Sequence, residues 1–234
     1  MKLRIKFTKT GPMKFIGHLD MMRYFQKAIR RTDIDIAYSS GYSPHQIMSF
    51  AAPLGVGLES YGEYFDIEVH TMTTTTDIMM QLQATMAEGV DIVSVSLLPD
   101  TVGNAMASVA AAKYLIRFRE GHAPSFDWKS QLAIFYQKPD IIVQKQTKKS
   151  LKEFNLRPFL YELKIEQDAI MMLVDASSSD NVKPRLVIEA FYAEYGQTLG
   201  EFDLEITRIE TYTQLHTTGE RSLVPLDAIG QTYE

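Results

Sequence analysis

Residues 2–8 alternate without a break. Leu3, Ile5 and Phe7 are apolar, and Lys2, Arg4 and Lys6 between them are charged. A period of two puts each set on its own face, which predicts a strand with one side buried and one side wet. Gly11-Pro12 ends it. The next segment, FIGHLDMMRYFQKAIRR from Phe15 to Arg31, changes period. Leu19, Met22, Phe25 and Ile29 fall near one face of a helix, while Arg23, Lys27 and Arg30 recur on another. DIDIAYSSGYSPHQIMSFAAP then reads as strand, a turn between Gly41 and Pro44, and more strand. GEYFDIEVHTM sets Tyr64, Asp66 and Glu68 against Phe65, Ile67 and Val69, another strand. TTTTDIMMQLQATMAEG predicts a capped helix closed by Gly89, and VDIVSVSLLP a strand ended by Pro99.

Strand, helix, strand, strand, helix, strand is the split βαβ order of a ferredoxin-like unit. The order then recurs. AKYLIRFR is a strand, and FDWKSQLAIFYQ a helix with Asp127 at its N-cap. DIIVQKQTK and FLYELKIEQDAIMMLVDAS supply strands. NVKPRLVIEAFYAEYG is a helix with Pro184 in its first turn and Gly196 at its end, and EFDLEITRIETYT closes with a strand. The expected fold class is α+β, with two tandem ferredoxin-like (split βαβ) halves. The first covers 1–99 and the second 113–216. Residues 100–112 connect them, and 217–234, which lack periodicity, form a tail.

Charge changes this picture in one respect. The 234-residue chain has a formal charge of −5, which argues against a general polyanion binder. Residues 1–60, however, carry nine Lys/Arg against four Asp/Glu. A basic face on an acidic protein is therefore expected there. The chain has no cysteine, which excludes disulfides, thiolate nucleophiles and cysteine-ligated clusters held by this chain, and fits a cytoplasmic location. MKLRIKFTKTG alternates and does not read as a signal peptide, and no run of 18 apolar residues predicts a membrane span.

Candidate chemistry concentrates at the start of the chain. His18 and Asp20 fall in the first turn of the first helix. Asp20 there complements the helix dipole, and His18 can cap, donate to an anion or act as a general acid–base. Arg23, Lys27, Arg30 and Arg31 form either a solvated face or a phosphate-contacting one. The stretch from Tyr38 to Gly57, with Gly41, Pro44, Pro53 and Gly55, forms either a bulged hairpin or a loop that approaches a ligand, and it carries Tyr42, His45 and Ser49. It is neither a P-loop nor a dinucleotide fingerprint. The spacing of His18, Asp20 and His45 matches no metal motif, and Ser49 lies in no nucleophile elbow. In the second half Lys145, Lys148, Lys149, Lys152 and Arg157 form a second basic strip. It reads as an edge strand guarded by lysines or as further phosphate contacts.

KFTKTGPMKFIGHLDMMRYFQKAIRR followed by AYSSGYSPHQIMSFAAPLGVGLESYGEYFDIEV resembles the radical-SAM-linked bacterial family of unknown function. The resemblance is close over about residues 1–70 and looser to about 210. Lys9, Gly11, His18, Leu19, Asp20, Arg23, Arg30, Gly41, Pro44, Ser49, Phe50, Pro53, Leu54, Gly57 and Asp66 match its pattern, and Ser43 and Ile47 depart from it. The resemblance implies a free-standing, non-enzymatic accessory protein that works with a separate radical SAM enzyme and has no cofactor of its own. An RNA or ribosomal substrate is implied by the usual gene neighbours of the family. The expected contact surface for RNA or partner comprises Lys9, His18, Asp20, Arg23, Lys27, Arg30, Arg31, Tyr42, His45, Ser49, Lys148, Lys152 and Arg157. Tandem ferredoxin-like halves with an early histidine are also similar in architecture to the repeat-associated RNA endonucleases of CRISPR systems. That likeness implies an alternative: metal-independent RNA cleavage with His18 as general acid–base and Lys9 or Lys14 stabilising phosphate charge. An adaptor that binds protein and no nucleic acid is the third expectation.

Overall fold

The computed structural model describes residues 1–146, 151–216 and 221–234. The protein is α+β, built on mostly antiparallel strands with helices against them, as the alternating periods predict. The chain forms two compact units. One contains Met1–Ala110 and Arg208–Glu234, the other Ala111–Thr207. The division differs from two consecutive halves, because the end of the chain belongs with its beginning.

The first unit opens with β1 (Lys2–Lys9), a 3-10 turn (Gly11–Phe15) and α1 (His18–Ile29). β2 (Met48–Phe50), β3 (Glu59–Glu68), α2 (Thr75–Gln83), β4 (Ile92–Leu97) and the short α3 (Ala105–Ser108) follow. β1 lies between β4 and β3, antiparallel to both, and β2 pairs with β3. That is the predicted split βαβ order. Leu3, Ile5 and Phe7 pack with Met21, Phe25 and Ile29 of α1 and with Ile78 and Leu82 of α2. Phe7, Phe25, Phe50 and Phe65 meet at its centre, with centroids 4.5 Å apart for Phe25–Phe65 and 4.8 Å for Phe7–Phe25. Such ring pairs add about 0.5–1.5 kcal/mol each beyond area burial. α1 buries Met21, Phe25, Ala28 and Ile29. Leu19, expected on that face, is 60% exposed, because the helix starts at His18 and turns the stripe that begins with Met21 toward the sheet.

Two other expectations change. Between Ile34 and Gln46 the predicted strands reduce to the isolated bridges Ile36↔Val69 and Tyr38↔Gln46. Gly41 sits at φ +110, in a segment of serines and Pro44 that offers no continuous ladder. Second, the wet face expected on β1 is covered. From Arg208 the chain supplies the rest of β10 (Leu204–His216), then β11 (Arg221–Pro225) and a 3-10 turn (Leu226–Ile229). The segment expected as a tail is thus ordered structure from Arg221, with Leu226 fully buried. Arg4 is buried beneath it. Its Nε and Nη2 donate to the two Asp66 oxygens at 2.8 and 3.0 Å, and Nη1 donates to the Leu226 carbonyl at 3.2 Å.

The second unit contains β5 (Ala111–Phe118), α4 (Trp128–Tyr136), β6 (Ile142–Gln146), β7 (Leu151–Asn155), β8 (Leu160–Glu166), β9 (Ala169–Asp175), α5 (Pro184–Glu194) and the first residues of β10. β9 lies between β5 and β8, antiparallel to both. The Arg119 N–H donates to the Asp203 carbonyl at 2.8 Å, bringing the returning chain beside the end of β5. β6 and β7 form a separate two-stranded sheet inserted into this pattern. The Asp127 side chain caps α4 and Pro184 opens α5, both as predicted.

Removing one partner of a buried ion pair strands the other's charge. Arg4→Met should therefore cost roughly 3–5 kcal/mol in urea unfolding, and Asp66→Leu added to it should restore most of the loss. A double variant no more stable than the single would contradict this role.

Candidate functional site

Two clefts flank α1, and different residues build each. The first forms where β1 ends. Thr10 donates its N–H to the Gly89 carbonyl at 2.8 Å. Gly89 holds φ +90, and a Cβ there would collide with the Thr10 carbonyl, so only glycine permits this approach. Lys9 continues the face of Leu3, Ile5 and Phe7, and it is only 3% exposed. The cleft it enters is walled by Phe7, Met21, Phe50, Pro53 and Leu54, with His18 and Glu63 as its other polar side chains. The His18 ring stands edge-on to Phe50, centroids 5.4 Å apart. Glu63 accepts from Arg208 Nη1 at 2.8 Å, and the same nitrogen lies 2.7 Å from the Ala52 carbonyl. Among the described residues, no carboxylate lies within ion-pair distance of the Lys9 ammonium. Burial pushes its pKa down, Glu63 opposes that shift, and Arg208 adds to it. A lysine, an imidazole and a carboxylate thus share one small, mostly apolar cleft.

The second cleft lies between α1 and the segment from Tyr38 to Gln46. Gln26 and Arg30 line it from the helix, and Tyr38, Pro44, His45 and Gln46 from the loop. The loop is pinned at its neck. Ser39 N–H donates to the His45 carbonyl, His45 N–H donates to Ser39 Oγ, and His45 Nδ1 lies 2.8 Å from that hydroxyl. Tyr42, at the tip, is fully exposed. Arg23, Lys27 and Arg30 stand exposed along α1, and Arg30 lines this cleft. Arg23 pairs with Asp20 at 3.1 Å with both side chains about two-thirds exposed, a pairing of little energetic weight. Arg30 Nε donates to the Gln26 carbonyl, and Arg31 donates to the Thr85 carbonyl at 3.0 Å.

The predicted residues therefore separate. Lys9 and His18 share the first cleft, and Arg30 and His45 share the second. Arg23 and Lys27 lie on the exposed face of α1, and Tyr42 on the loop tip. Asp20 points to Arg23, and Ser49 sits half-buried on β2. Among the described residues no hydrogen bond joins Ser49, His18 and Asp20. In the second unit Lys152 is exposed on β7, and Lys148 lies outside the described residues. Arg157 is engaged by the Lys138 and Leu160 carbonyls, and its guanidinium lies 4.6 Å from the Tyr136 ring centroid. Sequence reasoning missed Glu63, Arg208 and Gln46. Glu63 carried a signal, since it shares the parity of the core residues Phe65 and Ile67. Arg208 carried none, because its partner lies 145 residues away.

The chain belongs to the family described as "Uncharacterized protein conserved in bacteria (DUF2344)", whose sequence model matches residues 2–184. No curated protein matches it. Among solved structures, one described as "Crystal Structure of a Cbf5-Nop10-Gar1 Complex" is similar at 12% identity with a TM-score of 0.45. The match covers 89% of this chain and 48% of that one, so this chain spans about half its length. Among the described residues no helix is long and apolar enough to cross a membrane.

The Lys9 environment sets a pH dependence. Its lowered pKa means the unfolded chain binds the extra proton in the window below 10.5, so its contribution to stability rises with pH there. Lys9→Met should hold or raise the Tm at neutral pH, and its advantage should shrink toward pH 10.5. An advantage that grows with pH would contradict the assignment.

Proposed function

We propose that the protein is a non-enzymatic accessory subunit that binds single-stranded RNA, free or in a ribosomal component, for a separate radical SAM enzyme in the cytoplasm. The observation that carries the RNA part is the exposed row Arg23, Lys27 and Arg30 on α1, whose last member lines a cleft together with Tyr38 and His45. Backbone-tracking cations next to exposed rings are the combination that single strands need. The radical SAM part rests on the family resemblance. A chain without cysteine leaves such a cluster to a partner, and the proposal includes no cofactor in this chain.

Binding of labelled single-stranded RNA, read by fluorescence anisotropy, should weaken steeply with salt. Arg23→Ala, Lys27→Ala and Arg30→Ala together should lower the salt slope by about 2, as three lost phosphate contacts require. An affinity indifferent to salt and to these changes would reject the reading. A stable complex with the enzyme alongside that indifference would favour a protein adaptor instead.

A second reading has its own support. Lys9 and His18 line one cleft, with the ammonium desolvated, as metal-independent RNA cleavage would use them: His18 for proton transfer and Lys9 for phosphate charge. Lys14 fits that role less well, because it pairs with Glu59 at 3.4 Å and lies over Phe15. This reading requires RNA cleavage in EDTA that disappears in His18→Ala. RNA left intact by the wild type would reject it.

A further inference from the structure

The cleft at the end of β1 holds an amine that nothing pairs. Lys9 is 3% exposed, and among the described residues its Nζ has no hydrogen-bond partner and no carboxylate within ion-pair distance. A lysine is almost never buried this fully unless it is paired, so its position calls for a role. The nitrogen is nonetheless reachable. Among the described residues, the unpartnered side-chain polar atoms that are sealed from solvent are Gln46 Oε1 and Tyr192 Oη. Lys9 Nζ is not one of them, so the little surface that Lys9 keeps includes its nitrogen, on the cleft that Lys9 lines. The β1–β3 ladder shifts register between Phe7 and Lys9, the kind of irregularity that re-aims a side chain. Pro53 is exposed and His18 half-buried, so the cleft opens on their side. His18 makes no hydrogen bond among the described residues, which leaves its ring nitrogens available. Glu63 lies beyond ion-pair distance of Lys9 yet near enough to act on its charge.

We propose that this cleft is a Schiff-base site, in which Lys9 Nζ condenses with a small, neutral aliphatic aldehyde. The inference goes beyond RNA binding and does not depend on it. A lysine set among apolar walls is a nucleophile, because burial favours its uncharged form. The Nζ lone pair forms the C–N bond while the carbonyl π pair moves to oxygen. His18 takes a proton from the nitrogen and returns it to that oxygen, which gives the carbinolamine. The hydroxyl and the second nitrogen proton then leave as water, the C–O bond breaks, and a C=N bond remains. Amine and aldehyde thus become imine and water, with no oxidant or reductant. Glu63 supplies the counter-charge when the imine takes up a proton. Phe7, Met21, Phe50, Pro53 and Leu54 cover the alkyl group and limit the water that would reverse the step. The same walls set the class of substrate. The cleft is small and mostly apolar, and Arg208 is engaged by Glu63 and the Ala52 carbonyl. An alkyl chain suits it better than a second carboxylate.

Propanal with sodium cyanoborohydride tests this on the intact protein. The hydride reduces an imine to a stable propyl-lysine, and peptide mass spectrometry reads the label at each lysine. At neutral pH Lys9 should gain label faster than Lys27, which is exposed on α1, and the difference should vanish in urea. His18→Ala should slow labelling at Lys9 by about 100-fold, the lower end of what a positioned proton carrier contributes, and leave Lys27 unchanged. Faster labelling of Lys9 in that variant would overturn the role of His18, since a merely structural ring would only have shielded the amine. Wild-type Lys9 that labels no faster than Lys27 overturns the proposal, even if His18→Ala does not fold. Lys9 would then be left as the cation of the cleavage reading. Either result leaves RNA binding through α1 as it stands, because Arg23, Lys27 and Arg30 take no part in the condensation.

Discussion

Arg4 donates to both oxygens of Asp66, to the Leu226 carbonyl and, at 3.2 Å, to the Ser108 hydroxyl. Those partners come from β3, the last 3-10 turn and α3, so one guanidinium on β1 sets the positions of three other segments. Desolvating such a pair offsets much of its attraction, and burial pushes the Asp66 carboxyl up against the pull of Arg4. The pair is thus better understood as a directional constraint than as a store of stability. A planar fork with fixed donors accepts few arrangements of its partners. The same face of β1 and β3 repeats the theme nearby. Lys6 pairs with Glu210, and the Tyr64 hydroxyl lies within hydrogen-bond distance of Glu210 and Asp227. Burial and those two carboxylates push the Tyr64 pKa far up, so its hydroxyl stays a donor. One side of the strands is sealed by phenylalanines and the other by a satisfied polar layer.

Sealing both faces leaves α1 as the element where the first unit meets solvent with chemistry to offer. Its inner stripe is consumed by the aromatic cluster. Its first turn places His18 against Phe50 beside the buried Lys9, and its last turns carry Arg30 to the loop from Tyr38 to Gln46. The helix thus separates a small apolar cleft with a desolvated cation from a wider polar cleft with an exposed one. The two suit different work: the first lowers the proton affinity of Lys9 by burial, and the second exposes rings and donors to a ligand.

The split βαβ order was legible because each element kept its own period, and the caps at Asp127 and Pro184 could be read residue by residue, whereas the inner face of α1 was read correctly only at Phe25 and Ile29. What escaped was long-range. Nothing near Arg4 announces that Leu226, 222 residues later, will cover it, so a strand that looks amphipathic from its alternation is buried on both sides. Polar groups at core parity were the clue available locally. Lys9 and Glu63 both fall where the alternation calls for apolar residues, and both line the first cleft. The segment from Ile34 to Gln46 misled in the opposite sense, because β-branched residues and a central turn imitate a hairpin whose ladder Gly41 and Pro44 do not sustain. Gln46 had no signal at all, since its meaning comes from the Gln26 carbonyl across the cleft.

The path of the chain through the two units also orders events in time. Ala111–Thr207 is a continuous stretch, whereas the unit around it is completed only by Arg208–Glu234. During synthesis from the N-terminus, the inner stretch is therefore whole while Arg4, Glu63 and Tyr64 still lack Leu226, Arg208 and Glu210. The charges on β1 and β3 wait in water, where they are hydrated and harmless, until those last residues emerge. The unit that carries both clefts is begun before the inner stretch and completed after it, although the residues that line the clefts all precede that stretch.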